Sequence, residues 1–498
     1  MNKLNLNLKI LIFYLWPAYP LLLAQTPISL HPENSHYFLF RGKPTVLISS
    51  AEHYGMALNA ELDYITYLDV LEHYGFNQTR IFTGVYCEGN EYPTNPGNEN
   101  KWEEMQNTLA PRPYQLITPW ARSQEPGYIN GGNKFDLNKW DEAYFTRLKD
   151  FLREADQRNV VVEIVLFTAN YTPKNWQNSP LNAINNINQV GEIPYNEFHL
   201  IKHREVIEHQ LKMTGKIVTE VNEFDNIYFE ICNEPYWMKG IPRVEESITE
   251  QQFLPEIDEW QNLIVQRILE TEQSLPKKHL IAQNFANSYL KIQHMDSAVS
   301  VLNFHYAFPP VCVPDNYQWN RPLGFDETAD GCNAPDRRRE AWAFMLAGGA
   351  VYSNLDWSFA IDDLTGLGRN PPGKRQSGKE VREQLRILLE TIKSFDFINA
   401  RPINDKHFGD VPQEIGVYGL FIEGQDYIFY WLKRQKTAIE KTRFSIPSGE
   451  YLMKFINPLD GQTIAQRSLQ HAGGDLSINL PAFPDDLVVR ITRVEPGQ

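Results

Sequence analysis

The chain reads Ile-Tyr-Phe-Glu-Ile-Cys-Asn-Glu-Pro from Ile227 to Pro235. Its apolar and aromatic start predicts a buried strand, and the Asn-Glu-Pro at its end predicts the turn into a loop. Because side chains alternate along a strand, Glu230, Cys232 and Glu234 share one face. We therefore expect Glu234 at the open end of the strand, and Glu230 deeper, paired with an arginine.

Strand and helix patterns alternate on both sides of this stretch. About eight strand candidates, beginning near Val46, are separated mostly by helical patterns, which is typical of a (β/α)8 barrel. We predict this barrel for residues 25–400, with a hairpin around Gly42 at its N-terminal edge. The clearest helical patterns cover Leu62–Gly75, Lys139–Arg158, His199–Val221, Pro255–Leu275 and Val381–Phe395.

Two long connections follow the second and third predicted strands. They cover Gly84–Leu137 and Thr168–Asn196 and are rich in proline, asparagine, glycine and aromatic residues. Loops that follow barrel strands lie on the face where barrel active sites form. The two loops therefore predict a substrate cleft on that face.

The pattern changes to strands alone after Ala400. Segments such as Gly416–Ile422 and Tyr427–Leu432 are joined by turn signals, which predicts a small β-sandwich over residues 401–498. Such a domain either packs against the barrel or binds carbohydrate independently, and the sequence leaves both open.

Composition excludes several classes of partner. The chain has 498 residues, of which 42% are hydrophobic, so it is long enough for one large and one smaller domain. Its net charge of −15 argues against nucleic acid or an anionic membrane as the main partner. The oligomeric state is left open.

The N-terminus has the pattern of a signal peptide. Lys3 and Lys9 precede the apolar run Ile10–Leu23, and cleavage is expected after Ala24. Pro17 and Pro20 argue against a membrane-spanning helix there, and no other segment is apolar enough to span a bilayer. We expect a secreted or periplasmic protein.

The four cysteines fit an oxidising compartment without requiring one. Cys312 and Cys332 flank a loop and could form a disulfide, but the sequence does not decide the pairing. The sequence has no His/Cys cluster with zinc spacing and no phosphate-binding glycine loop, so we expect neither a metal nor a cofactor.

Asn233-Glu234-Pro235 after a strand resembles the fourth barrel strand of the clan A glycoside hydrolases, which include cellulases and mannanases. The resemblance implies that Glu234 is the general acid/base of sugar hydrolysis. In that superfamily the nucleophile is a glutamate at the end of strand seven, which Glu327 matches. Asp326 is the competing candidate, because two adjacent acidic residues leave the register open by one.

Further strand ends extend the resemblance. Arg80 lies in strand two, where the superfamily has an arginine near the nucleophile, although a salt bridge with Glu230 would also explain it. His305 and Tyr306 end strand six, where a tyrosine hydrogen-bonds the nucleophile. The remaining matches are predicted to bind substrate or to be structural: Asn233 beside the acid/base, Trp357 after strand eight, and the Glu52-His53 pair after strand one.

The resemblance therefore implies a secreted, retaining glycoside hydrolase that acts on a polysaccharide or its oligosaccharides without a cofactor. The segment Gly324-Phe-Asp-Glu-Thr-Ala departs from the family five cellulase signature, which leaves the exact family and substrate open. Three alternatives remain: a non-catalytic carbohydrate-binding protein on the same scaffold, an inverting hydrolase, and a metal-dependent barrel hydrolase, which the lack of paired histidines at strand ends disfavours.

Overall fold

The fold was examined in a computed structural model that describes residues 26–88, 107–236, 255–328, 334–368, 378–404, 407–409, 411–435 and 439–494. The predicted signal peptide, residues 1–24, lies outside these residues. Cys332 is also outside them, so the predicted pairing with Cys312 lies beyond what the structure describes.

The strand that carries Glu230 runs from Ile227 to Asn233 and belongs to an eight-stranded sheet in which all paired strands are parallel. The first and second strands of the sheet meet where the Phe82 N–H donates to the His53 carbonyl at 3.1 Å, which closes a barrel. In chain order, barrel strands one to eight are Leu47–Ala51, Gln78–Phe82, Val161–Thr168, Ile227–Asn233, Ile281–Asn287, Val299–His305, Leu323–Glu327 and Val351–Leu355.

Helices connect most of these strands, so the predicted (β/α)8 barrel is confirmed. The predicted helix before Gly75 is an example: Asp63 caps its first turn, and Gly75 ends it at a φ of 72°. The α-helices are Gly55–Leu58, Tyr64–Tyr74, Glu142–Gln157, Pro173–Asn178, Arg204–Val221, Pro255–Gln273, Cys312–Asn316, Ala334–Leu346 and Lys379–Lys393. Short 3-10 turns cover Ala183–Asn185, Tyr195–Glu197 and Tyr317–Trp319.

The N-terminal hairpin is present beside the barrel. Strands Phe38–Phe40 and Lys43–Thr45 pair around Arg41 and Gly42, both at positive φ, and Ser29–Leu30 adds a third strand. The hairpin ends at Thr45, and the chain then enters barrel strand one at Leu47.

The loop after barrel strand two contains an antiparallel hairpin that the sequence did not predict. It pairs Trp120–Pro126 with Asn133–Trp140. The helix predicted from Lys139 therefore begins only at Glu142, where the Asp141 carboxylate accepts from the Ala143 N–H at 2.9 Å.

Several aromatic residues in the described parts of the two long loops serve as core, while Trp102 lies outside the described residues. Trp120 is fully buried, and Tyr128 and Trp176 are each 4% exposed. Tyr114 is the contrasting case, because 73% of it is exposed. Aromatic richness in these loops thus reflects packing of the loops themselves more than an open cleft.

The C-terminal region confirms the predicted sandwich. A six-stranded antiparallel sheet faces a two-stranded sheet across a second apolar core. The strands are Arg401–Asn404, Ile415–Ile422, Asp426–Lys433, Lys441–Ile446, Gly449–Ile456, Thr463–His471, Gly474–Asn479 and Asp486–Arg493.

The sandwich packs against the barrel through helix Ala334–Leu346. Arg338 on this helix binds Asp486 through two bonds of 2.8 and 3.1 Å, and Trp342 stacks on Tyr430 with ring centroids 5.7 Å apart. Both ions of the pair are buried. The helices that the structure describes include none that is long and apolar enough to cross a membrane.

Candidate active site

Glu234 lies one residue beyond barrel strand four, where the chain turns into a loop. Its φ is +49°, a conformation that non-glycine residues seldom adopt. Its N–H donates to Asn284 Oδ1 at 3.1 Å, which holds this turn, and its Oε1 lies 3.0 Å from Nδ1 of His305. Strained backbone that is held by specific partners is a common feature of functional sites.

Barrel strand seven brings both acidic candidates to the interior of the barrel. In a regular strand, Asp326 and Glu327 would point to opposite faces. The register shifts between strands six and seven, however, so that Phe304 pairs with Phe325 and His305 pairs with Glu327. This irregularity makes Asp326 an extra residue, as in a β-bulge. Both carboxyl groups therefore point into the barrel, where each lies 3.4 Å from the guanidinium of Arg80.

Glu327 is the more accessible of the two, with 12% of its side chain exposed, and Tyr306 donates to its Oε1 at 2.9 Å. Arg80 Nη1 lies 3.4 Å from its Oε2, and His53 Nδ1 lies 3.7 Å from the same oxygen. Burial raises the pKa of Glu327, but His305, His53 and Arg80 outweigh it and hold the pKa well below its usual range. Glu327 is therefore an ionised carboxylate.

His305 connects the two glutamates. Its Nδ1 lies 3.0 Å from Glu234 Oε1 and 3.7 Å from Glu327 Oε1, and one carboxylate oxygen of Glu234 lies within 4.8 Å of one of Glu327. Burial lowers the pKa of His305, but the carboxylates of Glu327, Asp326 and Glu234 raise it overall to about 9. The structure thus brings the predicted pair together around a protonated histidine.

Arg80 is the centre of the network beneath this pair. It is fully buried, and its Nη2 donates to Glu230 Oε1 and to Asn233 Oδ1, both at 2.9 Å. Its Nε lies 3.5 Å from Glu163 and 3.4 Å from Asp326. The expected pairing of Glu230 with an arginine is confirmed, and the same guanidinium also reaches the nucleophile candidate.

Three buried carboxyl groups, Glu163, Glu230 and Asp326, share this one guanidinium. Burial raises the pKa of Glu163 well above its usual range and that of Asp326 to about 7. Burial also acts on Glu230, but Arg80, with hydrogen bonds from Glu163 and Asp326 and the charge of His305, outweighs it and lowers the pKa of Glu230. Asn303 Nδ2 donates to Glu163 Oε1 at 2.7 Å and to Glu230 Oε2 at 2.9 Å. One group with a lowered pKa and two with raised pKa values fit the single positive charge of Arg80.

Glu163 and Asn303 were missed by sequence reasoning. Both lie inside apolar strands, and both have side chains that face the barrel interior. An acidic residue in the middle of a hydrophobic strand was the available signal, because a buried carboxylate requires a partner.

The other predicted substrate-binding residues are already engaged with protein groups. Asn233 donates from Nδ2 to Tyr171 Oη at 2.9 Å, while its Oδ1 accepts from Arg80. His53 lies with Nδ1 3.2 Å from Arg80 Nη1, and burial lowers its pKa to about 4, so it is neutral. The carboxylate of Glu52 accepts from the N–H groups of His53 and Tyr54, which is a structural arrangement.

Trp357 lies two residues beyond barrel strand eight and is 9% exposed. Its predicted role beneath the reacting sugar stays a prediction. Asp356 beside it is fully buried and accepts from Arg382 Nε at 2.9 Å, which ties this strand end to the last barrel helix.

Among the residues that the structure describes, two groups of side chains have ligand atoms close enough to share a metal ion. One is Glu234, His305 and Glu327, and the other is Glu163, Glu230 and Asp326. In both groups a positive side chain already lies against the carboxylates, His305 in the first and Arg80 in the second. The donor sets are thus arranged around protein cations rather than around an added ion.

No family model matches the sequence, and no curated protein matches it. Solved structures do match its fold. A candidate glycoside hydrolase from Bacteroides vulgatus ATCC 8482 has a TM-score of 0.63 at 12% identity over 94% of this chain and 83% of its own. A glycoside hydrolase family 5 protein from the same organism has a TM-score of 0.57 at 11% identity over 95% of each chain.

A third solved structure, described as a glycoside hydrolase, has a TM-score of 0.56 at 10% identity and covers 94% of this chain and 97% of its own. These likenesses extend over the barrel and the sandwich together, since they cover nearly the whole chain. At such low identity they establish a shared architecture. The chain is thus similar in fold, from end to end, to proteins described as glycoside hydrolases.

Proposed function

We propose that this protein is a secreted, retaining glycoside hydrolase in which Glu327 is the nucleophile and Glu234 the general acid/base. The observation that carries the proposal is the approach of their carboxylate oxygens to within 4.8 Å. Retaining enzymes hold their two carboxyl groups ~5–5.5 Å apart, whereas inverting enzymes need ~6.5–9.5 Å to admit a water. The short separation favours direct attack by a carboxylate.

The electrostatics support the division of roles. The positive charges of His305 and Arg80 keep Glu327 ionised, which is the state that a nucleophile needs. The Tyr306 hydroxyl orients it through the bond to Oε1. Oε1 of Glu234 is hydrogen-bonded to Nδ1 of His305, which leaves Oε2 to approach the glycosidic bond.

The reaction follows from these positions in two balanced steps. Glu327 attacks the anomeric carbon, the bond to the leaving oxygen breaks, and Glu234 donates its proton to that oxygen. Water then attacks the same carbon, Glu234 accepts the proton of the water, and the carboxylate of Glu327 leaves. Both the proton and the nucleophile come from side chains.

Asp326 is the weaker candidate for the nucleophile. It is fully buried, whereas Glu327 is in part accessible. Burial raises its pKa to about 7, so a substantial fraction is protonated at neutral pH. We assign it the role of a positioning residue, which acts on Glu327 through Arg80.

The proposed substrate is a polysaccharide or its oligosaccharides. Its support is the carboxylate pair, together with the fold shared with proteins described as glycoside hydrolases. Secretion or a periplasmic location is proposed from residues 1–24 alone. Mass spectrometry of the protein exported by its host would test it, and a mature N-terminus at Gln25 is the expected result.

The experiment is sugar release from β-glucans, mannans, xylans, galactans and arabinans, for the wild type and four variants. We expect Glu327→Gln to lower kcat by about 10^4-fold or more, and Glu234→Gln by roughly 10^2–10^4-fold. Asp326→Asn should retain most activity, because an amide resembles the protonated acid. Glu259→Gln, on an exposed helical position, is the matched control.

Two outcomes would contradict the proposal. If Asp326→Asn is inactive while Glu327→Gln is active, the nucleophile is Asp326. If the wild type binds these polysaccharides without releasing sugar, the protein is a carbohydrate-binding protein on a hydrolase scaffold.

A further inference from the structure

A cavity of about 470 Å³ lies on the outer side of the barrel, between the hairpin strand Asn133–Trp140 and helix Arg204–Val221. Its volume is within the range of small-molecule sites, which is roughly 300–1,000 Å³. The residues that line it belong neither to the carboxylate pair nor to the network around Arg80. The proposed reaction therefore does not explain this cavity.

The helix presents a stripe of polar side chains to the cavity. Lys212, Lys216 and Thr219 recur at helical spacing, so they share one face of the helix. Asn138 adds an exposed amide from the hairpin strand. Among the described residues that line the cavity, the polar side chains are thus two ammonium groups, a hydroxyl and an amide, with no carboxylate.

Positive charge exceeds negative charge at this stripe. Glu220 accepts from Lys149 at 2.6 Å and from Lys216 at 2.5 Å, so two lysines share one carboxylate. Lys212 is exposed and forms no ion pair with any residue that the structure describes. Burial lowers the pKa of His209, one turn earlier on the helix, and the charge of Lys212 lowers it further. On a chain with a net charge of −15, this local excess of positive charge favours an anionic ligand.

Trp140 forms an aromatic wall of the cavity. Its indole stacks on that of Trp120, with ring centroids 6.5 Å apart and an angle of 23° between the planes. Trp120 is fully buried, whereas Trp140 is half-buried and lines the cavity, so part of its indole is accessible to a ligand. Lys216 Nζ lies 4.9 Å from the ring centroid of Phe145, which in turn packs edge-on against Trp140. An aromatic surface thus lies directly beside a positive charge.

We propose that this cavity is a second carbohydrate-binding site, which holds an acidic sugar unit with its ring against Trp140 and its anionic group between Lys212 and Lys216. The choice of a sugar rests on the proposed function, and the choice of an anionic group rests on the charges at the cavity. The group is a carboxylate or a sulfate ester, because both accept hydrogen bonds from ammonium groups. Asn138 and Thr219 then bind hydroxyl groups of the same ring.

The test is calorimetric titration of the full chain carrying Glu327→Gln, which prevents consumption of the ligand. Tetragalacturonate and tetramannuronate supply carboxylates, and a carrageenan tetrasaccharide supplies sulfate esters. Galactotetraose and mannotetraose are the uncharged counterparts. Lys212→Glu and Thr219→Glu each add negative charge at an exposed position of the cavity, and Lys278→Glu, exposed and outside the lining, is the matched control.

We expect at least one acidic tetrasaccharide to bind more tightly than the uncharged ones and to bind more weakly as salt is added. Lys212→Glu and Thr219→Glu should each weaken this binding by about tenfold or more, since attraction gives way to repulsion, and Lys278→Glu should leave it unchanged. The inference would be overturned if no acidic probe binds, if both cavity variants bind as the parent does, or if the control loses as much affinity.

Uridine monophosphate tests whether the ligand is a sugar polymer, because it combines a ring and an anionic group without a pyranose. Binding of this nucleotide in place of every acidic tetrasaccharide would overturn the assignment to carbohydrate. The proposed function is tested separately. Sugar release by a wild type that binds no acidic probe would overturn this inference alone, whereas a wild type that releases no sugar, with binding lost in both cavity variants, would contradict the proposed function alone.

Discussion

At the scale of single residues, Arg80 determines the charge state of the site. It is the guanidinium that reaches Glu163, Glu230, Asp326 and Glu327. Burial and the neighbouring carboxylates raise the pKa values of Glu163 and Asp326, while the positive charges of Arg80 and His305 lower those of Glu230 and Glu327. The raised pKa values belong to Glu163 and Asp326, neither of which is the proposed nucleophile.

Loss of Arg80 should lower the free energy of unfolding far more than loss of an acid that is already neutral. Arg80→Met removes the partner of the buried carboxylates, and we expect the free energy of unfolding to fall by about 3–5 kcal/mol. Glu163→Gln resembles the protonated acid, and its cost should be below ~1 kcal/mol. Urea unfolding of both variants at pH 7 measures this, and equal costs would contradict the assigned charge states.

His305 predicts a pH dependence of stability. Its pKa in the folded protein is about 9, above its ordinary value of 6.5, because Glu234, Asp326 and Glu327 face it. The contribution of His305 to the free energy of unfolding is fully present below pH 6.5 and is lost as the pH rises through about 9. We expect the wild type to lose more unfolding free energy than His305→Gln between pH 7.5 and 10, and equal losses would show that His305 is not protonated.

The sequence predicted the residues of the candidate site better than it predicted the contacts between them. Glu234, Glu327, Arg80 and Tyr306 could be predicted because each ends or occupies a predicted strand at a position that matches the resemblance to the clan A glycoside hydrolases. Their hydrogen bonds depend on side chains from other strands, such as Asn284, which accepts from the Glu234 N–H and which no local pattern connects to it. Sequence spacing therefore indicates which residues meet, and tertiary packing decides what each one binds.

At the scale of secondary-structure elements, the irregularity in barrel strand seven explains why the sequence did not decide between Asp326 and Glu327 as the nucleophile. A regular strand would present one of them to the barrel axis, and the bulge presents both. Bulges have no dependable sequence signal, because they depend on pairing with the neighbouring strand. The late start of helix Glu142–Gln157 has a similar cause, since Lys139 is taken up by a hairpin strand.

Close packing of barrel strands six and seven gives a prediction for Gly324. A Cβ built on this glycine would lie 2.3 Å from Asn303 Oδ1, and Asn303 is fixed by its bonds to Glu163 and Glu230. Gly324→Ala should therefore lower the unfolding free energy by about 1–3 kcal/mol and reduce activity. Gly215→Ala, where the nearest atom is 3.4 Å away, is the control for urea unfolding. Equal stability of the two variants would contradict this packing.

At the scale of the whole molecule, the sandwich and barrel are joined by a buried helix. Helix Ala334–Leu346 is buried on nearly every side, which is expected of an element that separates two packed layers. Arg338 on it binds Asp486 of the sandwich, and Tyr430 donates to the same carboxylate at 2.7 Å. The sandwich therefore stabilises the barrel, whether or not it also binds carbohydrate.

Breaking this interface should destabilise the chain strongly. Asp486→Ala leaves Arg338 buried without its partner, and we expect a loss of about 3–5 kcal/mol in unfolding free energy. Glu390→Ala, which breaks an exposed pair with Arg386, should cost at most ~0.5 kcal/mol. Both are measured by urea unfolding, and a small cost at Asp486 would show that the two domains are energetically independent.

The most direct test of the central claim is the configuration of the first sugar released. Proton NMR, recorded while the protein hydrolyses an oligosaccharide substrate, distinguishes the two anomers of the product before they interconvert. A carboxylate pair this close predicts that the first product keeps the configuration of the substrate, since the proposed mechanism passes through a covalent intermediate on Glu327. A first product of inverted configuration would contradict the assignment of Glu327 as nucleophile.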